Sequence, residues 1–220
     1  MIMKTLVIGC KTLENELLSV METHGSSCEV TWIEARMHNV KVKLREALQK
    51  IIDMEEGYDR LLFATGFCGN SISGLQSRSV PLVIPRVDDC TSLLFGSRKN
   101  KLPWMDSYFL TEGWLEGDAN IWNEYLYAQK KYGAKKAAHI FRTIFSQYKR
   151  ILLLDTGCYP LEPSLKKAQE IASAFSLECQ VHPVNTFYLE TLLTGPWDTE
   201  HFLTIPPHTT ITDADLTLIY

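Results

Sequence analysis

Short apolar runs recur along this chain, each parted from the next by a stretch with helical spacing. That alternation constrains the fold more than any other feature. Runs with strand character lie at 5–8, 29–33, 60–64, 82–84, 107–110, 151–154 and 178–182. Helical spacing fills 13–23, 42–54, 90–95, 121–131, 134–147 and 163–175. The clearest stripe is Ala134, Ala137, Ala138, Phe141, Ile144, Phe145 and Tyr148, which repeats with the period of an α-helix. The runs LLFA (61–64) and ILLL (151–154) are apolar without alternation, as a strand covered by helices on both faces must be. Such a chain is expected to be α/β, with a mostly parallel, doubly wound sheet. The order strand, cysteine-bearing loop, helix, cysteine-opened strand occurs twice, from Leu6 to Trp32 and from Ile151 to Pro183. The expectation is two similar βα halves forming one compact three-layer domain over 1–220, with a cleft where they face each other. Any two βαβ units share this order, so the echo alone does not relate the halves.

Cysteine placement is the second constraint. Cys10 ends TLVIGC, Cys68 follows RLLFATGF, Cys90 follows PLVIPRVDD and Cys158 follows ILLLDTG. Each lies where a predicted strand runs out, and open α/β sheets bind ligands outside the carboxyl ends of their strands. Positions distant in sequence therefore converge on one crevice. Cys28 and Cys179 instead open strands, which puts them toward the opposite edge of the sheet.

Charge and composition exclude several classes. A net charge of −4 lacks the clustered basic field that nucleic acid requires. The one dense basic stretch, KKYGAKK from Lys130 to Lys136, reads as a solvated helix junction. No apolar run reaches the roughly 20 residues needed to cross a bilayer. Met1 leads into KTLVIG without the charged and apolar regions of a secretory signal. A cytoplasmic location follows, where thiols stay reduced. The six cysteines then read as free thiols or ligands, not as three disulfides.

Cys68 stands in TGFCGNSISGL between Gly66 and Gly69. Glycine lets a backbone approach a ligand closely, and Asn70 or Ser71 is expected to cap a following helix. Taken alone, the segment is a tight turn with a small buried thiol. Cys90 stands in IPRVDDC, where Asp88 or Asp89 can cap the next helix and place the thiol in its first turn. The helix end lowers a thiol pKa and the adjacent carboxylates raise it. A free thiolate is therefore not favoured there, whereas a metal deprotonates its thiol outright. Arg86 can hold an anionic group or pair with the neighbouring aspartates. His38, in EARMHNV after the second strand, reads on its own as an exposed loop histidine.

Together Cys10, His38, Cys68 and Cys90 offer three thiols and an imidazole from four strand ends. Zinc accepts that set tetrahedrally and an iron–sulfur cluster can use the thiols; Cys158 can replace any one member. No closely spaced ligand pair provides local chelation, so folding must assemble the site. Asp155-Thr156-Gly157 is a single copy of an aspartic-protease triplet without the partner aspartate, and reads as a strand-end turn. Gly96-Ser97-Arg98-Lys99 lacks the spacing of a phosphate loop, although Arg98 and Lys99 suit an anionic group. Among the aromatics, Tyr108, Trp122 and Tyr125 read as core. Trp114, between glycines in the TEGWLEG stretch, is the candidate wall for a flat cofactor.

The segments GFCGNSISGL, VPLVIPRVDDCTSLLFGS and YFLTEGW, with LVIGCKTLENEL and RMHNVKVKLREAL before them, resemble the family called domain of unknown function 1638. The resemblance spans most of the chain and is most specific from Cys68 to Trp114. Asp88 stands where the family pattern often carries histidine, so no histidine ligand is expected at that position. The resemblance implies an anaerobic setting, with genes neighbouring corrinoid-dependent methyltransferases and their corrinoid proteins.

Together these readings give a function expectation: a metal- or metallocofactor-binding protein of one-carbon metabolism. Zinc or an iron–sulfur cluster would be held by Cys10, His38, Cys68 and Cys90. A corrinoid or other ligand would meet Gly66, Asn70, Arg86 and Trp114. The partner implied is a corrinoid protein or a corrinoid-dependent methyltransferase. Two alternatives stand beside it: a cofactor-free thiol enzyme, nucleophilic or racemase-like, and a non-catalytic carrier that delivers corrinoid or metal.

Overall fold

The computed structural model describes residues 3–96, 106–118 and 120–216, with 38 and 39 described in backbone only. Within the span read as one domain, the chain groups into two compact units, 1–101 with 185–220, and 102–184. The first unit opens with β1 (Thr5–Cys10), α1 (Glu14–Thr23), β2 (Glu29–Ile33), α2 (Lys41–Asp53), β3 (Arg60–Ala64), β4 (Leu82–Pro85) and α3 (Cys90–Leu94). The second holds β5 (Ser107–Leu110), α4 (Glu112–Glu116), α5 (Ile121–Tyr132), α6 (Ala134–Ile144), β6 (Arg150–Asp155), α7 (Leu161–Phe175) and β7 (Glu178–Pro183). The chain then returns to the first unit with α8 (Phe187–Thr194) and β8 (Phe202–Ile205).

The fold is α/β with mostly parallel sheets. In the first unit the strand order is β2-β1-β3-β4-β8. β1 pairs in parallel with both β2 and β3, β3 pairs in parallel with β4, and β8 closes the edge antiparallel to β4. Alternation within each strand divides the residues between two faces. Leu6 and Ile8, Leu61 and Phe63, and Leu82 and Ile84 pack with Leu44, Leu48 and Ile52 of α2. Val7, Leu62 and Val83 are fully buried on the other face, where α1 packs on β1 and α8 packs on β3, β4 and α1. Both faces are covered, giving this unit three layers and explaining the unbroken apolar runs. In the second unit the order is β5-β6-β7, all parallel. Tyr125, Phe141, Phe145 and Phe175 join Ile151 and Leu153 in its core. The rings of Phe141 and Phe175 stack, and Tyr125 meets each of them edge-on.

The strands follow the predicted runs closely, and three departures bear on function. First, no helix follows Cys68, so Asn70 and Ser71 cap none. Cys68, Gly69 and Asn70 have φ of +47°, +64° and +64°, which winds the chain against the hand of an α-helix. Ser71 Oγ donates back to the Cys68 carbonyl at 2.6 Å. Second, Trp114 lies in the short helix α4 and not in a loop, because Thr111 caps it by accepting from the Trp114 N–H at 3.3 Å. Third, His38 falls in a short 3-10 helix, Ala35–Asn39, leading into α2. β8 and its antiparallel pairing were absent from the sequence reading. Among the described residues no helix is long and apolar enough to cross a membrane.

Candidate functional site

Strand order locates the crevice. The chain leaves β1 to one side to form β2, then crosses to the other side to form β3. Successive connections therefore diverge between β1 and β3, and such a switch point opens a crevice at the carboxyl ends of the strands. Cys10 is the last residue of β1, Cys68 lies four residues beyond the end of β3, and Cys90 is the first residue of α3 after β4.

Backbone bonds stitch the last two loops together. Phe67 N–H donates to the Val87 carbonyl at 2.9 Å and Cys68 N–H to the Asp88 carbonyl at 2.7 Å. Gly66 makes that approach possible, since a Cβ there would lie 2.5 Å from the Asp89 nitrogen and 2.6 Å from its Cα. Asp89 caps α3, accepting from the Ser92 N–H at 2.8 Å and from the Ser92 hydroxyl at 2.9 Å. Of the two aspartates read as possible caps, this is the one that acts.

The three thiols are neighbours, with Cys90 beside both Cys10 and Cys68. Thr12 adds a contact at the Cys10 end, with 3.1 Å between its hydroxyl and Sγ. Cys10 and Cys90 are 8% and 9% exposed, while Cys68 is half-buried against the apolar core. The hydrogen bond to Cys90, then burial, then the charge Cys90 would carry hold the Cys10 pKa well above its ordinary 9.0, against two bonds from Thr12. For Cys90 the bond from Cys10 lowers the pKa. The bond to Cys68, burial and the charges of Cys68 and Asp89 outweigh it and raise the thiol far above the ordinary range. Both buried thiols, Cys10 and Cys90, thus hold their protons at neutral pH.

The donor chemistry of three thiols suits a soft metal. Among the described residues no three His, Cys, Asp or Glu side chains form a group that could hold a metal ion. The described part of His38 is its backbone, so its side chain enters neither statement.

The other expected residues have defined surroundings. Arg86 Nη1 donates to the Asp215 carbonyl at 2.9 Å and Nε to that of Phe202 at 3.3 Å, so the guanidinium ties β4 to the C-terminal segment. Asn70 ends the left-handed turn. Arg98 and Lys99 lie outside the described residues. In the second unit, Trp114 is half-buried on α4. Beside it, burial and the Glu116 charge raise the Glu112 pKa, while Ser164 donates to Glu112 at 3.5 Å. Cys158 follows β6 in the turn of Asp155, Thr156 and Gly157, where Gly157 N–H donates to Asp155 Oδ1 at 3.1 Å and Cys158 N–H to Thr156 Oγ1 at 3.3 Å.

Three residues went unnoticed in the sequence. Thr12 was signalled by its position two residues after Cys10. Thr65, just past β3, has a buried hydroxyl with no hydrogen-bond partner among the described residues. Lys41, at the start of α2, lies against the left-handed turn, its Nζ 3.1 Å from where a Gly69 Cβ would be. Nothing local relates Lys41 to Gly69.

Residues 32–193 match the model of a family described as a protein of unknown function, DUF1638. No curated protein and no solved structure matches the chain.

Proposed function

The chain belongs to the DUF1638 family, and we propose that its thiol crevice binds a soft metal ion or a metallocofactor through Cys10, Cys68 and Cys90. One observation carries this reading: Cys10, Cys68 and Cys90 stand at or just beyond the ends of the neighbouring strands β1, β3 and β4. Three sulfurs match the preference of zinc and of iron–sulfur clusters for thiolate ligands. Coordination requires the sulfurs to converge on a common point. A rotamer change of half-buried Cys68 is the smallest movement toward that arrangement. A cofactor-free nucleophile at Cys10 is less well supported, since that buried thiol holds its proton. The partner proposed is a corrinoid protein or a corrinoid-dependent methyltransferase, so that the crevice serves methyl-transfer chemistry. Six cysteines that are all free suit a reducing compartment such as the cytoplasm.

The test is a zinc titration of chelator-stripped, anaerobically prepared protein against a competing chromophoric chelator. Cys10→Ser, Cys68→Ser and Cys90→Ser should each weaken binding by about tenfold or more, whereas Cys179→Ser should leave it unchanged. Failure to take up zinc or iron, or equal binding by all four variants, would overturn the proposal.

A further inference from the structure

We propose that Cys68 and Cys90 are also a thiol–disulfide exchange pair, in which Cys68 receives the incoming disulfide and Cys90 resolves it. The two residues are held together by backbone, not by chance contact of side chains. The bonds from Phe67 to Val87 and from Cys68 to Asp88, with Gly66 pressed against Asp89, fix the Cys68 loop beside the residue preceding α3. A disulfide forms only where the two Cα atoms already lie within about 7 Å, so such stitching is the condition that matters. The thiols differ in access. Cys90 is 9% exposed, whereas half-buried Cys68 sits on a turn with φ of +47°. A left-handed conformation at a non-glycine residue is strained and collects at functional positions.

The exchange balances with a low-molecular-weight disulfide as oxidant. Cys68 loses its proton, and its sulfur attacks one sulfur of the oxidant. A mixed disulfide forms on Cys68 and the first small thiolate leaves. Cys90 then gives up its proton and attacks Cys68 Sγ, and the second small thiolate leaves. Two protein thiols are oxidised, the small disulfide is reduced to two thiols, and the two protons pass to the departing thiolates. Cys10, more buried, takes no part. The step needs no metal, and the pair, once bridged, is unavailable to one.

The experiment treats the full chain with oxidised glutathione in the presence of a chelator, blocks remaining thiols with iodoacetamide, and maps linked peptides by mass spectrometry. Wild-type protein should yield a peptide pair joined through Cys68 and Cys90. Cys10→Ser should yield the same link. Cys90→Ser should instead accumulate glutathione on Cys68, and Cys68→Ser should show neither. Absence of the link in wild-type protein, a dominant link through any other cysteine, or no glutathione on Cys68 in Cys90→Ser would each overturn the inference. Because the chelator keeps the chain metal-free, failure here leaves the metal reading standing, and failed zinc uptake leaves this one standing.

Discussion

Two protonated buried thiols have a consequence for stability. Cys10 and Cys90 have raised pKa values in the folded chain, so the unfolded chain ionises first as pH rises. Above the ordinary cysteine value of 9.0 the unfolded state binds fewer protons than the native state, and stability falls with increasing pH. The stabilisation is complete below that value and is lost on the alkaline side. Under reducing conditions, the melting temperature should therefore drop between about pH 9 and pH 10, and the double variant Cys10→Ala/Cys90→Ala should lose most of that dependence. Equal slopes in both proteins would show that the buried thiols ionise as readily as free cysteine. This environment was only half legible from sequence. The aspartate beside Cys90 was visible and argued against a thiolate. The bonds to Cys10 and Cys68 exist only once three strands lie side by side.

At the scale of elements, the crevice depends on two loops running closer than side chains permit. Gly66→Ala would place a methyl 2.5–2.7 Å from the Asp89 backbone, which must then yield. Such overpacking costs about 1–3 kcal/mol, read as a lower midpoint in urea at unchanged slope. Gly117→Ala is the control: its φ is −63° and the nearest atom to the new methyl is 3.6 Å away. Equal midpoints for the two variants would contradict the stitching account. Elements whose own residues decide them were the ones read correctly, such as the apolar runs of β3 and β6 and the helix over α6, where Ala137 and Phe141 of the stripe are buried while Ala134 and Ile144 are exposed and Phe145 lies just past the helix end. Those settled by distant partners were missed. β8 is a four-residue edge strand that forms by pairing with β4, some 120 residues earlier in sequence. The expected helix after Cys68 is replaced by a left-handed turn that no glycine pattern specifies, since Cys68 and Asn70 adopt it as well as Gly69.

At the scale of the whole molecule, the α/β class and the places of Cys10, Cys68 and Cys90 at or after the ends of neighbouring strands were both legible, because each follows from the alternation of strands and helices. The sequence offered Cys158 as an interchangeable member of that set. It follows β6 in the second unit. The division between units was not visible, since the connection from α3 to β5 carries no marked linker composition. If the three thiols act together as ligands, X-ray absorption at the zinc edge of the zinc-loaded full chain must show them: a sulfur shell at ~2.3 Å should appear, lose amplitude in Cys68→Ser and stay unchanged in Cys179→Ser. A first shell of nitrogen and oxygen alone, near ~2.0–2.1 Å, would contradict it.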